Sequence, residues 1–201
     1  MKEQTIDRRK VRTKRMIRDA FTELIKEKGF DEMTVKDITM KADINRGTFY
    51  LHYRDKYDLL EQSEEEIIEG LRHMEQGKPL KREDVVTNRV IDQPSPFITN
   101  LYEYLSEHAE FIKVLLGPKG DPAFPLKLKE VMRNNMEKTI SSYLDEERLT
   151  VPLHYLTAYS ISAHLGVIQQ WLDEGMKETP QEMAIIVARM IFGNPYTIVK
   201  R

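Results

Sequence analysis

The chain has 201 residues, 40% hydrophobic and 32% charged, which describes a charge-rich globular protein able to bury a real core and expected to be largely helical. It contains no cysteine, which excludes a disulfide framework, a thiolate metal site and a thiol nucleophile. No apolar run approaches the length that crosses a bilayer, and the start, "MKEQTIDRRKVRTKR", is polar and basic, unlike a signal peptide, so a cytoplasmic protein with no membrane partner is expected.

The formal net charge of −2 conceals a gradient. Residues 1–56 carry 15 Lys and Arg against 10 Asp and Glu, a net of +5, which leaves −7 for the remainder. A basic head suits a polyanionic partner, and an acidic body does not.

In chain order, a basic arm, Arg8 to Arg15, leads into a helix predicted from Thr13 to Lys28. There Ile17, Ala20, Phe21, Leu24 and Ile25 recur at helical spacing. Gly29 is its expected C-terminal glycine. Thr34 with Asp37 three residues on is a capping-box signal for a second helix, Val35 to about Ala42, burying Val35 and Ile38. A tight connection through Asp43 and Ile44 leads to a third helix, about Arg46 to Tyr53. Three short helices, the last two joined by a tight turn, form a helix-turn-helix pattern.

Asp55 can cap a long fourth helix from Lys56 towards Met74. Its core residues are expected to be Leu59, Leu60, Ile67, Ile68 and Leu71, with Glu64–Glu66 on its wet face. The stretch 75–96 loses periodicity and gathers Gly and Pro, as a linker or loose loop does. Helices return over Pro96–Leu116 with a break near His108, Pro125–Glu147, Pro152–Glu174 and Pro180–Phe192, with proline at or near several starts. No convincing strand is present. The expected architecture is all-α: a helix-turn-helix head, residues 1–55, and a larger helical effector-binding and dimerisation body, residues 56–201.

On the third helix Phe49 and Tyr53 share the face that packs on the first two helices, while Arg46, Gly47, Tyr50 and Leu51 fall outside it. A helix-turn-helix lays its second helix in the major groove. Arg46 can there donate two hydrogen bonds to a guanine, and Tyr50 and Leu51 can meet a thymine methyl. Gly47 permits close backbone approach. Thr48 and His52 can hold phosphates, as can Thr34 at a helix start and Lys56 at the next. The basic arm adds counterion-releasing charge. The alternative is that Tyr50 and Leu51 form an exposed patch for a protein partner.

The stretch Met16 to Leu60 resembles the DNA-binding domain of the tetracycline-repressor (TetR) family of bacterial transcription regulators. One frame of the resemblance is Phe21, Leu24, Gly29, Phe30, Thr34, Val35, Asp37 and Ile38. The other is Ala42, Gly47, Thr48, Tyr50, His52, Tyr53, Lys56 and Leu59. Asp43 replaces the usual glycine and Tyr53 the usual phenylalanine. The resemblance implies DNA contacts by Thr34, Arg46, Gly47, Thr48, Tyr50, His52 and Lys56. It also implies a homodimer on a palindromic double-stranded operator, and a variable helical body that often holds a small-molecule effector. Glu107 to Phe124 looks like one recurrent subgroup of such bodies, although "GPKGDP" within it reads on its own as a turn.

Candidate pocket residues are Tyr102, Phe111, Leu115, Met132, Met136 and Tyr159, apolar or aromatic with occasional polar handles. Trp171 is expected to be a packing or interface anchor. Ala158, Ser162, Ala163 and Gly166 permit close helix approach, and Met183, Ile186, Val187 and Met190 form a helical stripe. Together these residues make the candidate dimer interface. The histidines His52, His73, His108, His154 and His164 show no metal-binding spacing, and neither a phosphate loop nor a nucleophilic triad stands out. No cofactor, no metal and no enzyme activity are expected; the function expected is that of a repressor released from DNA by an effector.

Overall fold

The computed structural model describes residues 2–74, 95–143 and 149–192, and among these every regular element is a helix. In chain order they are α1 (Lys2–Lys28), α2 (Val35–Lys41), α3 (Arg46–Tyr50), α4 (Lys56–Arg72), α5 (Pro96–Glu107), α6 (Ala109–Leu116), α7 (Phe124–Tyr143), α8 (Leu153–Asp173) and α9 (Pro180–Phe192). The expected loop lies, over residues 75–94, outside the described residues, as does the continuation of α7 over 144–147. The break near His108 is real: His108 caps α5, its backbone N–H reaching the Tyr104 carbonyl, and α6 starts at the next residue.

The chain groups into two compact units, Met1–Ile68 with Glu110–Pro125, and Glu69–Ala109 with Leu126–Arg201. The division expected after residue 55 follows the order of motifs. Contacts instead give the first unit most of α4 and a segment from much later in the chain.

In the first unit the core is Ile17, Phe21 and Ile25 of α1 with Met33, Ile38, Phe49 and Leu59, all essentially inaccessible. The basic segment Arg8–Arg15 is part of α1 rather than an arm ahead of it. Nothing interrupts the helix there, because the chain from Lys2 to Lys28 has no Gly or Pro and is rich in good helix formers. Gly29 ends α1 at φ +85°, a left-handed conformation that glycine adopts without steric cost.

The later segment of this unit packs on α1. Phe111 lies 6.3 Å from Phe21, Glu110 pairs with Lys26, and Lys119 donates to the carbonyls of Lys26 (3.0 Å) and Glu27 (3.1 Å). The "GPKGDP" stretch is therefore a turn whose lysine satisfies carbonyls at the C-terminus of α1, where backbone acceptors lack helical donors.

Within α4, Glu64 was expected on the wet face but is only 1% exposed, whereas Glu65 and Glu66 are exposed. The helical period explains the correction: Glu64 lies three and four residues before Ile67 and Ile68, on their buried face.

The second unit buries Tyr102 and Leu105 of α5, Ile161, Leu165, Ile168, Trp171 and Leu172 of α8, and Met183, Ala184, Val187 and Ala188 of α9. The C-terminus of α8 closes with Met176 N–H on the Trp171 carbonyl (2.9 Å) and Gly175 N–H on that of Leu172 (3.2 Å). Tyr102 and Trp171 meet edge to face at 5.0 Å, so Trp171 is a packing anchor.

Candidate nucleic-acid interface

The head is built by caps. The Thr34 hydroxyl accepts from the Asp37 N–H at 3.2 Å, while the Asp37 carboxylate accepts from the Thr34 N–H and hydroxyl, both at 2.8 Å. Lys28 adds an ion pair to Asp37 at 2.8 Å. The Lys28 contact first, then the Thr34 bonds, pull the Asp37 carboxyl down to about 2. Thr34 therefore has its hydroxyl and its own N–H engaged within the cap.

The turn into α3 is a Schellman closure: Ile44 N–H reaches the Thr39 carbonyl at 3.0 Å and Asp43 N–H reaches that of Met40 at 3.3 Å. It holds Asp43 at φ +51°. A left-handed conformation costs a non-glycine residue roughly 1–2 kcal/mol, and aspartate tolerates it better than most.

α3 is shorter than expected. It stops at Tyr50, with Leu51 as its cap, and the chain then turns through His52, whose N–H still bonds the Phe49 carbonyl at 2.9 Å. Tyr53 is therefore outside the helix but remains buried, its ring 5.6 Å from that of Phe49. Phe49 is fully buried and Tyr50 is 53% exposed, although the two rings meet edge to face at 5.6 Å. Leu51 is 81% exposed, Arg46 and Gly47 are exposed, and no atom lies within 4 Å of where a Cβ on Gly47 would be. Thr48 and His52 are half-buried on the flank.

The basic part of α1 contributes directly to this face. Lys14 stands 5.9 Å from the centre of the Tyr53 ring. Burial first, then the charges of Lys14 and Lys10, hold the His52 ring below its ordinary pKa, which keeps it neutral at neutral pH. Lys10 and Lys14 share a helix face by their spacing of four. Composition announced a basic segment, but only its helical form selects these two.

Lys56 is placed differently from the expectation. Its ammonium donates to the carbonyls of Phe30 (3.0 Å), Asp31 (2.9 Å) and Met33 (3.0 Å), between α1 and α2. It also lies 4.8 Å from the Phe30 ring centre and 5.4 Å from that of Tyr57. An ammonium has three donors, and all three are used inside the head, so none is left for a phosphate. Asp55 caps α4 as expected, accepting from the N–H groups of Tyr57 (2.9 Å) and Asp58 (2.8 Å).

The candidate pocket residues do not gather in one unit. Phe111 and Leu115 are core residues of the first unit, Tyr102 is buried in the second, and Met132 and Met136 are half-buried on α7. Tyr159 is 76% exposed, because the buried arc of α8 runs through Thr157, Ile161 and Leu165 and leaves residue 159 on the other side.

The dimer candidates divide in a similar way. Ala158, Ser162, Ala163 and Gly166 are exposed with Tyr155 and Tyr159, and Met190 is exposed on α9, but Met183 and Val187 are buried and Ile186 is half-buried. α9 packs along α5, with Gln181 donating to Glu103 at 3.0 Å, so part of its apolar stripe is consumed within the chain.

Comparison with known proteins agrees with this architecture. Residues 17–62 match a family profile described as bacterial regulatory proteins of the tetR family, and residues 92–193 match one described as a transcriptional regulator C-terminal region. A Bacillus subtilis (strain 168) protein described as the uncharacterized HTH-type transcriptional regulator YxbF is 44% identical over 210 residues, covering 98% of this chain and 49% of that protein. This chain thus spans about half the length of that relative.

Among solved structures, a TetR transcriptional regulator from Streptococcus agalactiae 2603V aligns with a TM-score of 0.60 at 22% identity, over 94% of this chain and 99% of that one. The dihydroxyacetone kinase operon activator DhaS aligns with a TM-score of 0.59 at 18% identity, over 89% and 93%. At these identities the two likenesses bear on the fold. With one profile matching the head and the other about half of the chain, this protein belongs to the tetR family of bacterial regulatory proteins.

Proposed function

We propose that the protein is a sequence-specific DNA-binding transcriptional regulator, a cytoplasmic homodimer that represses from a palindromic operator and is released by a small-molecule effector. The observation that carries this reading is α3 itself. Phe49 and Tyr53 fasten it to the head while Arg46, Gly47, Tyr50 and Leu51 stand in solvent, and nothing among the described residues of the fold explains their exposure. Arg46 suits a guanine edge, and Tyr50 and Leu51 suit a thymine methyl. Thr48, His52, Lys10 and Lys14 suit phosphates, with Thr34 contributing through the start of α2. Repression is the simpler outcome, because an occupied operator blocks a promoter without any further contact.

Dimerisation would use the exposed face of α8, where Ala158, Ser162 and Gly166 lie between Tyr155 and Tyr159, together with Met190 and Ile191 of α9. A two-fold pair presents two recognition helices to half-sites about one helical turn apart.

The test is binding to DNA from the protein's own promoter across a salt series. Affinity is expected to fall steeply with salt, and Arg46→Ala and Tyr50→Ala are expected to weaken specific binding, by roughly 1–3 kcal/mol for a bidentate arginine, with the fold intact. Affinity indifferent to salt and to both substitutions overturns the DNA reading and returns α3 to a protein partner. A promoter fusion with and without the protein reads the sign of control.

A further inference from the structure

Among the described residues of the second unit, two buried side-chain atoms have no hydrogen-bond partner, the Tyr102 hydroxyl and His164 Nε2. Their neighbour differs. Trp171 packs against Tyr102 and gives its indole N–H to the Glu178 carbonyl at 3.0 Å, so its polar need is met. Tyr102 is fully inaccessible and its hydroxyl meets nothing. A buried polar group without a partner costs roughly 1–3 kcal/mol, and folded proteins carry few of them. Such a pair in one unit asks for an occupant that restores the bonds.

Placement and charge say what kind. His164 and Trp171 are seven residues apart, on one face of α8 and about 10 Å apart along its axis, with Tyr102 at the Trp171 end. The rest of that face is Ile161, Leu165 and Ile168. Burial pushes the Tyr102 hydroxyl well above its ordinary pKa. Burial also pushes His164 down, against a hydrogen bond to the Ser160 backbone. Both are therefore neutral at neutral pH, the tyrosine offering a proton and the histidine Nε2 a lone pair. No Lys, Arg, Asp or Glu among the described residues of this unit is buried, so a charged ligand would find no counter-ion on this face.

We propose that Tyr102 and His164 are the polar anchors of the effector site, and that the effector is a neutral, largely apolar molecule carrying a hydroxyl group. A hydroxyl suits either anchor, accepting from Tyr102 or donating to His164. This rests on the reading of the chain as an effector-responsive regulator, but it is tested without DNA.

Trp171 is the only tryptophan in the chain, so its fluorescence reports on Tyr102 directly. The full chain is titrated with 4-hexylphenol, 1-decanol and 4-hexylbenzoate, following fluorescence and thermal stability. At least one hydroxyl probe is expected to saturate, and the benzoate to bind about tenfold more weakly or not at all. Tyr102→Phe and His164→Leu are each prepared, and at least one is expected to weaken the hydroxyl probe about tenfold, the worth of one hydrogen bond. Tyr102→Phe should do so without lowering the melting temperature, because it removes an unsatisfied group. Failure of both hydroxyl probes to bind overturns the proposal, as do equal binding of the benzoate and unchanged affinity in both variants. Operator binding measured alongside separates the two readings: intact DNA binding without probe binding sinks only this proposal, and the reverse sinks only the DNA reading.

Discussion

Replacing Lys56 by methionine keeps the apolar stem and removes the ammonium, which separates two roles for one residue. In the structure that ammonium serves three carbonyls, of Phe30, Asp31 and Met33, and faces two aromatic rings. Hydrogen bonds to a charged group are worth about 1.5–3 kcal/mol each, but the exposed Asp31 carbonyl can return to water and the three do not add. The ring contacts contribute about 0.5–1 kcal/mol. A net loss of roughly 2–3 kcal/mol is expected, which in a chain of this size lowers the melting temperature by about 5–10 °C.

Calorimetry reads the stability, and the salt dependence of operator binding reads the other role. If Lys56 neutralised a phosphate, its removal would reduce the slope of log affinity against log salt by about 0.9, whereas removal of an internal clasp leaves the slope unchanged. A Lys56→Met protein that melts like the wild type and has a slope smaller by about one unit would refute the internal role.

Two further outcomes follow from the geometry. The folded pKa of Asp37 lies below the unfolded value, so its contribution is complete above about pH 4 and is lost as pH falls through about 2. Asp37→Asn should therefore be less stable than the wild type at neutral pH, with the gap closing between about pH 4 and pH 2 in acid-unfolding curves; a gap that persists at pH 2 contradicts the cap. No atom lies within 4 Å of a Cβ built on Gly166, so Gly166→Leu should leave each protomer folded and gain up to about 1 kcal/mol in helix propensity. The same change should weaken self-association at least about tenfold in sedimentation experiments if α8 carries the dimer, and unchanged association would place the dimer face elsewhere.

Local patterns in the sequence were enough for most of the helices and their ends. Thr34 with Asp37, Gly29, Asp55 and the proline at 180 each act within a few residues of the boundary they set, so a reader of the chain sees cause and effect together. The turn at Asp43 and the separation of Phe49 from Tyr50 and Leu51 were legible for the same reason. The family resemblance rests on those same residues.

The tertiary structure decided which partner each face meets. Periodicity shows that Met183, Ile186, Val187 and Met190 share a stripe, but not that α5 takes Met183 and Val187 inward while Met190 stays out. It could not give Lys56 its three carbonyls, which lie 23 to 26 residues away in the chain, nor bring Lys119 to the C-terminus of α1 across more than 90. The spacing of His164 carried no signal either, because a buried nitrogen without a partner is a property of its surroundings. A sequence states the shape and chemistry of each surface through short-range spacing. Which surfaces are consumed in folding, and which are left for DNA, for a second copy or for a ligand, depends on contacts between segments that the chain itself keeps far apart.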